Sequence, residues 1–86
     1  MLTAMDFQGL TDDLKIYVLL SYGSYTADRK YGIYCIQLFA VDGFFVEVFY
    51  LPGSDEIDQI LAVESPDVLD YYLNNIDISD IFFESA

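Results

Sequence analysis

The sequence predicts an α+β fold in a single domain, residues 1–86: an N-terminal helix, a four-stranded antiparallel β-meander and a C-terminal helix packed on one face. Three observations predict this fold. Two runs of β-branched and aromatic residues flank Asp42-Gly43, and Asp-Gly between such runs is a strong signal of a two-residue hairpin turn. Thr11, two acids and an apolar run that ends at Gly23 are typical of a capped helix. Ser65-Pro66-Asp67 has the residue types that are preferred at a helix start.

The N-terminal third is predicted to hold one helix and one strand. Residues 1–10 are expected to be a short lead-in. The helix continues through residues 14–22, and Gly23 is expected to end it in the left-handed conformation that glycine adopts most easily. Residues 24–29 are predicted as a short first strand, and residues 30–32 as the turn into the central hairpin.

The hairpin of residues 33–51 is predicted to be apolar on both faces. A two-residue turn pairs residues whose numbers sum to 85. One face then carries Val41/Phe44, Phe39/Val46, Gln37/Val48 and Cys35/Tyr50, and the other carries Ala40/Phe45, Leu38/Glu47, Ile36/Phe49 and Tyr34/Leu51. A sheet with one wet side would alternate apolar and polar residues, and this hairpin does not. Helices of the same chain can cover one face, so the other needs a second layer, a partner chain or a ligand.

The last part of the chain is predicted as a fourth strand followed by the C-terminal helix. Residues 57–64 alternate in a way that predicts a strand antiparallel to residues 44–51, although some apolar positions also fit a helix. Their β-branched content and the short turn at residues 52–55 favour the strand. The helix that starts at Ser65 has its apolar stripe at Leu69, Tyr72, Leu73 and Ile76.

The charge balance excludes several classes of partner. The chain has 3 basic and 15 acidic residues, a net charge of −12, so phosphate backbones and anionic membrane surfaces repel it. We therefore expect no direct binding to nucleic acid or membranes, and binding to a basic protein is the expected alternative. No basic N-terminal region or long apolar run is present, and Cys35 is the only cysteine, which together predict a cytoplasmic protein.

Catalysis is not predicted. The chain has no His, so the commonest general base and metal ligand is missing. Cys35 falls in a predicted central strand and is expected to be a buried structural residue. Asp55, Glu56 and Asp58 do not match a calcium-binding loop, so neither a metal nor another cofactor is expected.

Glu47 allows two interpretations. In the first, Glu47 lies among Leu38, Phe45 and Phe49 either as a buried carboxyl with a raised pKa or as the partner of Arg29 or Lys30 in an ion pair. This interpretation makes a small-ligand site around Glu47 an alternative function. The other interpretation, which the sequence favours, is that this part of the face is partly wet.

Two other functional hypotheses follow from the apolar hairpin and from the acids. The first is a non-enzymatic binding or assembly module that homodimerises through its sheet, and its candidate interface residues are Tyr34, Ile36, Leu38, Phe45 and Phe49. The second is an acidic nucleic-acid mimic that inhibits a basic nucleic-acid-binding protein. Its candidate acidic surface is Asp67, Asp70, Asp77 and Asp80, and no basic residue occurs after Lys30.

The order of predicted elements, with residues 43–50 (Gly-Phe-Phe-Val-Glu-Val-Phe-Tyr) as its distinctive piece, resembles a family of small bacterial proteins of uncharacterised function. The resemblance covers most of residues 11–80. It implies an α+β domain of this size, and it implies neither an activity nor any site residue.

Overall fold

In a computed structural model of the chain, residues 2–73 are described, and they form one antiparallel sheet with helices on both faces. In chain order the elements are α1 (Ala4–Gln8), α2 (Asp12–Tyr22), β1 (Ser24–Tyr31), β2 (Tyr34–Val41), β3 (Phe44–Tyr50), β4 (Ile57–Val63) and a 3₁₀ helix (Pro66–Tyr72). The strand order is β1-β2-β3-β4. The predicted N-terminal helix and four-stranded meander are confirmed. The described part of the predicted C-terminal helix is a 3₁₀ helix, and its predicted continuation beyond Leu73 lies outside the described residues.

The lead-in before α2 contains a helix that the sequence interpretation did not include. Thr3 and Asp6 form a capping box: Thr3 Oγ1 accepts a hydrogen bond from Asp6 N at 3.1 Å, and Asp6 Oδ2 accepts one from Thr3 N at 3.4 Å. Phe7 of this helix is fully buried. A five-residue helix is too short to show a hydrophobic period, so the capping box was its only signal.

The start of α2 is as predicted, and its end is different. Thr11 Oγ1 accepts a hydrogen bond from Leu14 N at 3.3 Å. Gly23 has φ −82° and ψ 152°, so the expectation of a left-handed conformation is wrong. Glycine is required there for space, because a Cβ atom would lie 2.7 Å from the carbonyl oxygen of Leu19.

The central hairpin has the predicted turn and register. Val41 pairs with Phe44 and the register continues to Cys35 opposite Tyr50. Asp42 and Gly43 have φ of 37° and 94°, and a type I′ turn requires positive φ at both positions. The preceding turn lies at residues 32–33 rather than at the predicted 30–32, because the strand pairing of β1 continues to its last residue.

One face of the sheet packs against both α-helices, and we call it the helix face. Its core consists of Ala4, Phe7, Leu19, Val41, Phe44, Val46, Val48 and Ile60. The rings of Phe7 and Phe44 are 5.8 Å apart in a tilted arrangement. Gln8 also reaches the outer edge of β4, where its amide donates to Ile60 O at 3.3 Å and accepts from Ala62 N at 2.8 Å. This side chain occupies backbone groups that would otherwise be open to another strand.

The opposite face, which we call the Glu47 face, packs against the 3₁₀ helix. Ala27, Leu38, Val68 and Tyr72 form a second buried cluster there, with Phe45, Val63 and Leu69 at its edge. A single chain therefore provides cover on both faces of the hairpin, and part of the cover on the second face comes from an element of only seven residues.

Candidate functional site

Glu47 lies at the centre of a buried polar cluster on the Glu47 face. Glu47 is 6% exposed, and its Oε2 accepts hydrogen bonds from Arg29 Nη2 at 3.0 Å, Arg29 Nε at 3.3 Å and the Tyr72 hydroxyl at 2.5 Å. Strand alternation places Glu47 and Arg29 on the same face, and the long Arg29 side chain spans the intervening strand β2. Of the two interpretations, the ion pair with Arg29 is the one found, and the expectation of a partly wet site is wrong.

Arg29 is also enclosed by aromatic rings. Its guanidinium carbon lies 5.5 Å from the ring centre of Tyr31, 4.9 Å from that of Tyr71 and 5.3 Å from that of Tyr72. All three distances are within the range of cation–π attraction. Two of the rings belong to the 3₁₀ helix, so Arg29 connects that helix to β1 and, through Glu47, to β3.

The cluster shifts the pKa values of two of its members. Burial raises the pKa of Tyr72 well above its usual range, and the hydrogen bond to the Glu47 carboxylate raises it further. Burial lowers the pKa of Arg29, but the neighbouring Tyr72 hydroxyl and Glu47 carboxylate raise it by more, so the net shift is upward. Tyr72 thus stays neutral and Arg29 stays charged at physiological pH. Because Glu47 Oε2 accepts from both partners, the cluster joins β1, β3 and the 3₁₀ helix.

The structure places the candidate interface residues in the body of the chain. Ile36 and Leu38 are fully buried and Phe49 is 8% exposed. Tyr34 and Phe45 are half-buried, and the Tyr34 ring packs edge-on against Phe49 at 5.8 Å. These residues do not form an exposed apolar face on the described chain, so the observation that motivated dimerisation through the sheet is not found.

One row of exposed apolar side chains lies along α2, and others, among them Met5, Tyr31, Ile33 and Tyr71, are scattered over the described chain. The buried residues of α2 are Lys15 and Leu19, each 7% exposed, while Leu14 is 49%, Tyr17 59% and Leu20 83% exposed. At 100° per residue, Tyr17 projects almost opposite the buried side. We define the outward face of α2 as Asp13, Leu14, Tyr17, Leu20 and Ser21, all of which are exposed.

The helix α2 is apolar on both sides. Leu19 is buried, and Ile16 and Val18 pack against the core of the helix face. Lys15 lays its aliphatic stem against the sheet, and its ammonium is not left buried without a partner. Two leucines and a tyrosine face solvent on the other side. Sequence reasoning missed this surface because it took the stretch as an ordinary capped helix.

The acidic residues dominate the rest of the surface. Of the 12 acids within residues 2–73, only Glu47 is buried, and Asp67 and Asp70 are both exposed. Asp77 and Asp80 lie outside the described residues. With Lys15 buried and Arg29 paired, Lys30 is the only exposed basic residue in the described part of the chain. The surface is therefore more uniformly negative than the composition alone indicates.

Cys35 differs from its prediction, since it is exposed rather than buried. The α-helices pack on the end of the helix face near the Asp42-Gly43 turn, and Cys35 lies at the other end of β2. It lines a shallow cavity of about 460 Å³ with Gln37 and Tyr50. No group of three or more potential metal ligands is found in the described chain.

The comparisons with known proteins gave no match, so a function can be proposed only from the geometry of this chain. No protein-family model, curated protein or solved structure matches the sequence or the fold. Among residues 2–73, no helix has the length and apolar character needed to cross a membrane.

Proposed function

We propose that the chain is a non-enzymatic protein-binding module whose contact surface is the outward face of α2. The observation that carries this proposal is the exposure of Leu14, Tyr17 and Leu20 along one side of α2. Contiguous apolar side chains that stay exposed on a small acidic domain often mark a site of interaction with another protein. The proposal places the module in the cytoplasm, as expected for a chain with one cysteine.

The composition of the outward face suits protein recognition. Tyrosine combines a large apolar ring with a hydroxyl that remains hydrogen-bonded at a wet rim, and it is enriched in interfaces. Tyr17 lies at the centre of the face, with a leucine one turn away on each side. Asp13 and Ser21 provide polar groups at the two ends, as the rim of an interface requires.

Site-specific photo-crosslinking tests this surface without knowledge of the partner. A photoreactive phenylalanine at position 17, in the full chain expressed in its source cell, is expected to link covalently to a protein. The matched control is the same residue at position 33, because Ile33 is equally apolar and 68% exposed but lies in the β1–β2 turn. Equal labelling at both positions, or none at position 17, would contradict the proposal.

A second function, the acidic nucleic-acid mimic, is favoured by the one-signed surface. Eleven exposed acids and a single exposed lysine in the described chain produce a strongly negative surface field. This proposal predicts that the chain displaces DNA from a basic DNA-binding protein encoded beside it. The displacement should weaken as salt rises from about 0.05 to 0.5 M, since the contacts are between exposed charges.

Neutral variants of the candidate acidic surface test the mimic. Asp67→Asn and Asp70→Asn, combined with Asp77→Asn and Asp80→Asn, should weaken displacement at least tenfold in a gel-shift assay. The control matched in charge compares Asp67→Asn with Asp70→Asn against Asp12→Asn with Asp13→Asn, a pair on the opposite side of the sheet. Undiminished displacement by the fourfold variant would exclude this function.

A further inference from the structure

We infer that the 3₁₀ helix is a cover over the Glu47 face, and that it opens and closes as a unit while the rest of the fold stays intact. The cover is held closed by the hydrogen bond from the Tyr72 hydroxyl to Glu47 and by the contacts of Arg29 with the rings of Tyr71 and Tyr72. We call these contacts the latch. The inference is independent of the proposed contact surface on α2, which lies on the other side of the sheet.

The cover contributes few buried side chains. Of its seven residues, Val68 and Tyr72 are buried, Leu69 is half-buried and the other four are exposed. A 3₁₀ helix also has poorer hydrogen-bond geometry than an α-helix, and the bond from Val68 N to Ser65 O is 3.3 Å long. An element with so few buried contacts is expected to open at a lower free energy than the protein as a whole.

The core of the helix face does not depend on the cover. Its eight buried residues come from α1, α2, β2, β3 and β4. The cluster under the cover consists of Ala27, Leu38, Val68 and Tyr72, and among the described residues it shares no member with the larger core. Because the sheet lies between the two clusters, loss of the cover leaves the contacts of the larger core in place.

Opening leaves no polar group of the latch buried without a partner. When the cover leaves, the Tyr72 hydroxyl can bond to water, and Glu47 keeps the hydrogen bonds from Arg29 Nη2 and Nε at 3.0 and 3.3 Å. Losing a hydrogen bond costs most when one partner stays buried and unpaired. Here water reaches both partners, so opening costs only the latch contacts and the wetting of apolar side chains.

Opening uncovers an apolar surface that the closed form hides. Leu38 is fully buried and Ala27 is 6% exposed in the closed form, with Phe45 and Val63 at the edge of the same cluster. The closed cover keeps this surface from water and from other chains, so its contact with the sheet is autoinhibitory. The hydrogen bond of Tyr72 is made to a charged acceptor and is therefore a strong one, so Tyr72 sets how often the cover opens.

Thiol labelling at two buried valines measures the opening, in a Cys35→Ser background that removes the exposed native thiol. Val68→Cys places a thiol in the cover, and the matched Val46→Cys places one in the core of the helix face. The two valines are 4% and 0% exposed. Dithionitrobenzoate should react at least tenfold faster at position 68 than at position 46 without denaturant, because only unfolding of the whole chain exposes position 46.

A second substitution in each chain separates opening of the cover from global unfolding. Tyr72→Phe removes the hydrogen bond of the latch and should accelerate labelling at position 68 at least tenfold. Phe7→Leu weakens the core of the helix face more gently than an alanine would. It should accelerate labelling at position 46 and change labelling at position 68 less than twofold.

Hydrogen exchange at Arg29 Nε measures the same opening with the native valine in the cover. Arg29 is the only arginine of the chain, so its Nε–H signal in the NMR spectrum needs no further assignment. This group donates to Glu47 beneath the cover. Its exchange should accelerate at least tenfold in Tyr72→Phe and less than twofold in Phe7→Leu.

Two results would overturn the inference. Equal labelling rates at positions 68 and 46, or equal acceleration of both by Phe7→Leu, would mean that the cover opens only when the whole chain unfolds. Exchange at Arg29 Nε that Tyr72→Phe leaves unchanged would mean that the latch does not hold the cover closed.

Discussion

The two faces of the sheet are both predicted to be apolar, and they are covered by different kinds of interaction. On the helix face, α1 and α2 pack through side chains such as Phe7 and Leu19, and the buried contacts are apolar. On the Glu47 face, a seven-residue 3₁₀ helix is attached through Val68 and through an acid, a guanidinium and a phenol. The difference shows that the length of an element does not decide its contacts: the five-residue α1 is held mainly by its buried Phe7 ring, whereas the seven-residue 3₁₀ helix also depends on directional polar contacts.

The largest expected effect comes from truncating the apolar contact of the helix face. Phe7→Ala should lower the free energy of unfolding by about 4 kcal/mol, because it removes a fully buried ring and leaves a cavity beside Phe44. Urea denaturation followed by circular dichroism measures the loss. Met5→Ala, on the exposed side of the same helix, is the control and should change stability by less than about 0.5 kcal/mol. Equal effects of the two variants would show that α1 does not cover the sheet.

Breaking the ion pair of the Glu47 face should have the next largest effect. Glu47→Gln leaves the largely buried Arg29 guanidinium without a counter-charge, and we expect a loss of about 3 kcal/mol. Replacing all three groups, Arg29→Met with Glu47→Leu and Tyr72→Phe, should restore much of this loss, because neither a charge nor an unpaired hydroxyl then remains buried. If the triple variant is less stable than Glu47→Gln, the cluster provides more than compensation of one charge by the other.

Removing one hydroxyl should produce a smaller and pH-dependent effect. Tyr72→Phe deletes the hydrogen bond to Glu47 and should lower stability by about 2 kcal/mol at pH 7. In the wild type, burial raises the pKa of Tyr72 in the fold, so the unfolded chain loses this proton first, near pH 10. That stability contribution is therefore fully present below about pH 10 and is lost as pH rises towards the folded pKa. Tyr72→Phe should flatten this loss, and Tyr71→Phe, at an exposed position, should not.

The smallest effect is expected at Lys15. Lys15→Met keeps the aliphatic stem that packs against the sheet, and the ammonium that it removes is not buried without a partner, so stability should change by less than about 0.5 kcal/mol. Thermal unfolding at pH 7 measures the change. A loss of more than about 1 kcal/mol would show that the Lys15 ammonium makes a favourable contact, and the helix face would then depend on polar interactions as the Glu47 face does.

The elements that were predicted correctly have strong local signals. The Asp42-Gly43 turn requires positive φ at both residues, which few other residue pairs adopt easily. The register of β2 with β3 then follows from pairing residues outward from this two-residue turn. Thr11 and Ser65 cap the helices that they precede, each with its side-chain oxygen accepting a hydrogen bond from a backbone N–H of the first turn. This hydrogen bond joins residues two or three positions apart, so it needs no tertiary contact.

The candidate site residues were predicted less well, because their environment depends on distant elements. The burial of Glu47 requires Tyr72, which is 25 residues away, and Arg29, which is 18 residues away. The exposure of Cys35 reflects where the α-helices stop along the sheet. Neither the burial of Glu47 nor the exposure of Cys35 can be predicted from the residues that flank it in the sequence.

The sequence by itself determined the four strands, the Asp42-Gly43 turn, the caps at Thr11 and Ser65 and the negative charge, since each depends on residues that are neighbours along the chain or on composition. Only the tertiary structure decided which apolar surfaces stay exposed. It covers the hairpin at Ile36 and Leu38 and turns Tyr17 and Leu20 of α2 outward. The physical reason is that burial depends on which elements meet in space, and a helix that is apolar on every side can turn either side to the sheet.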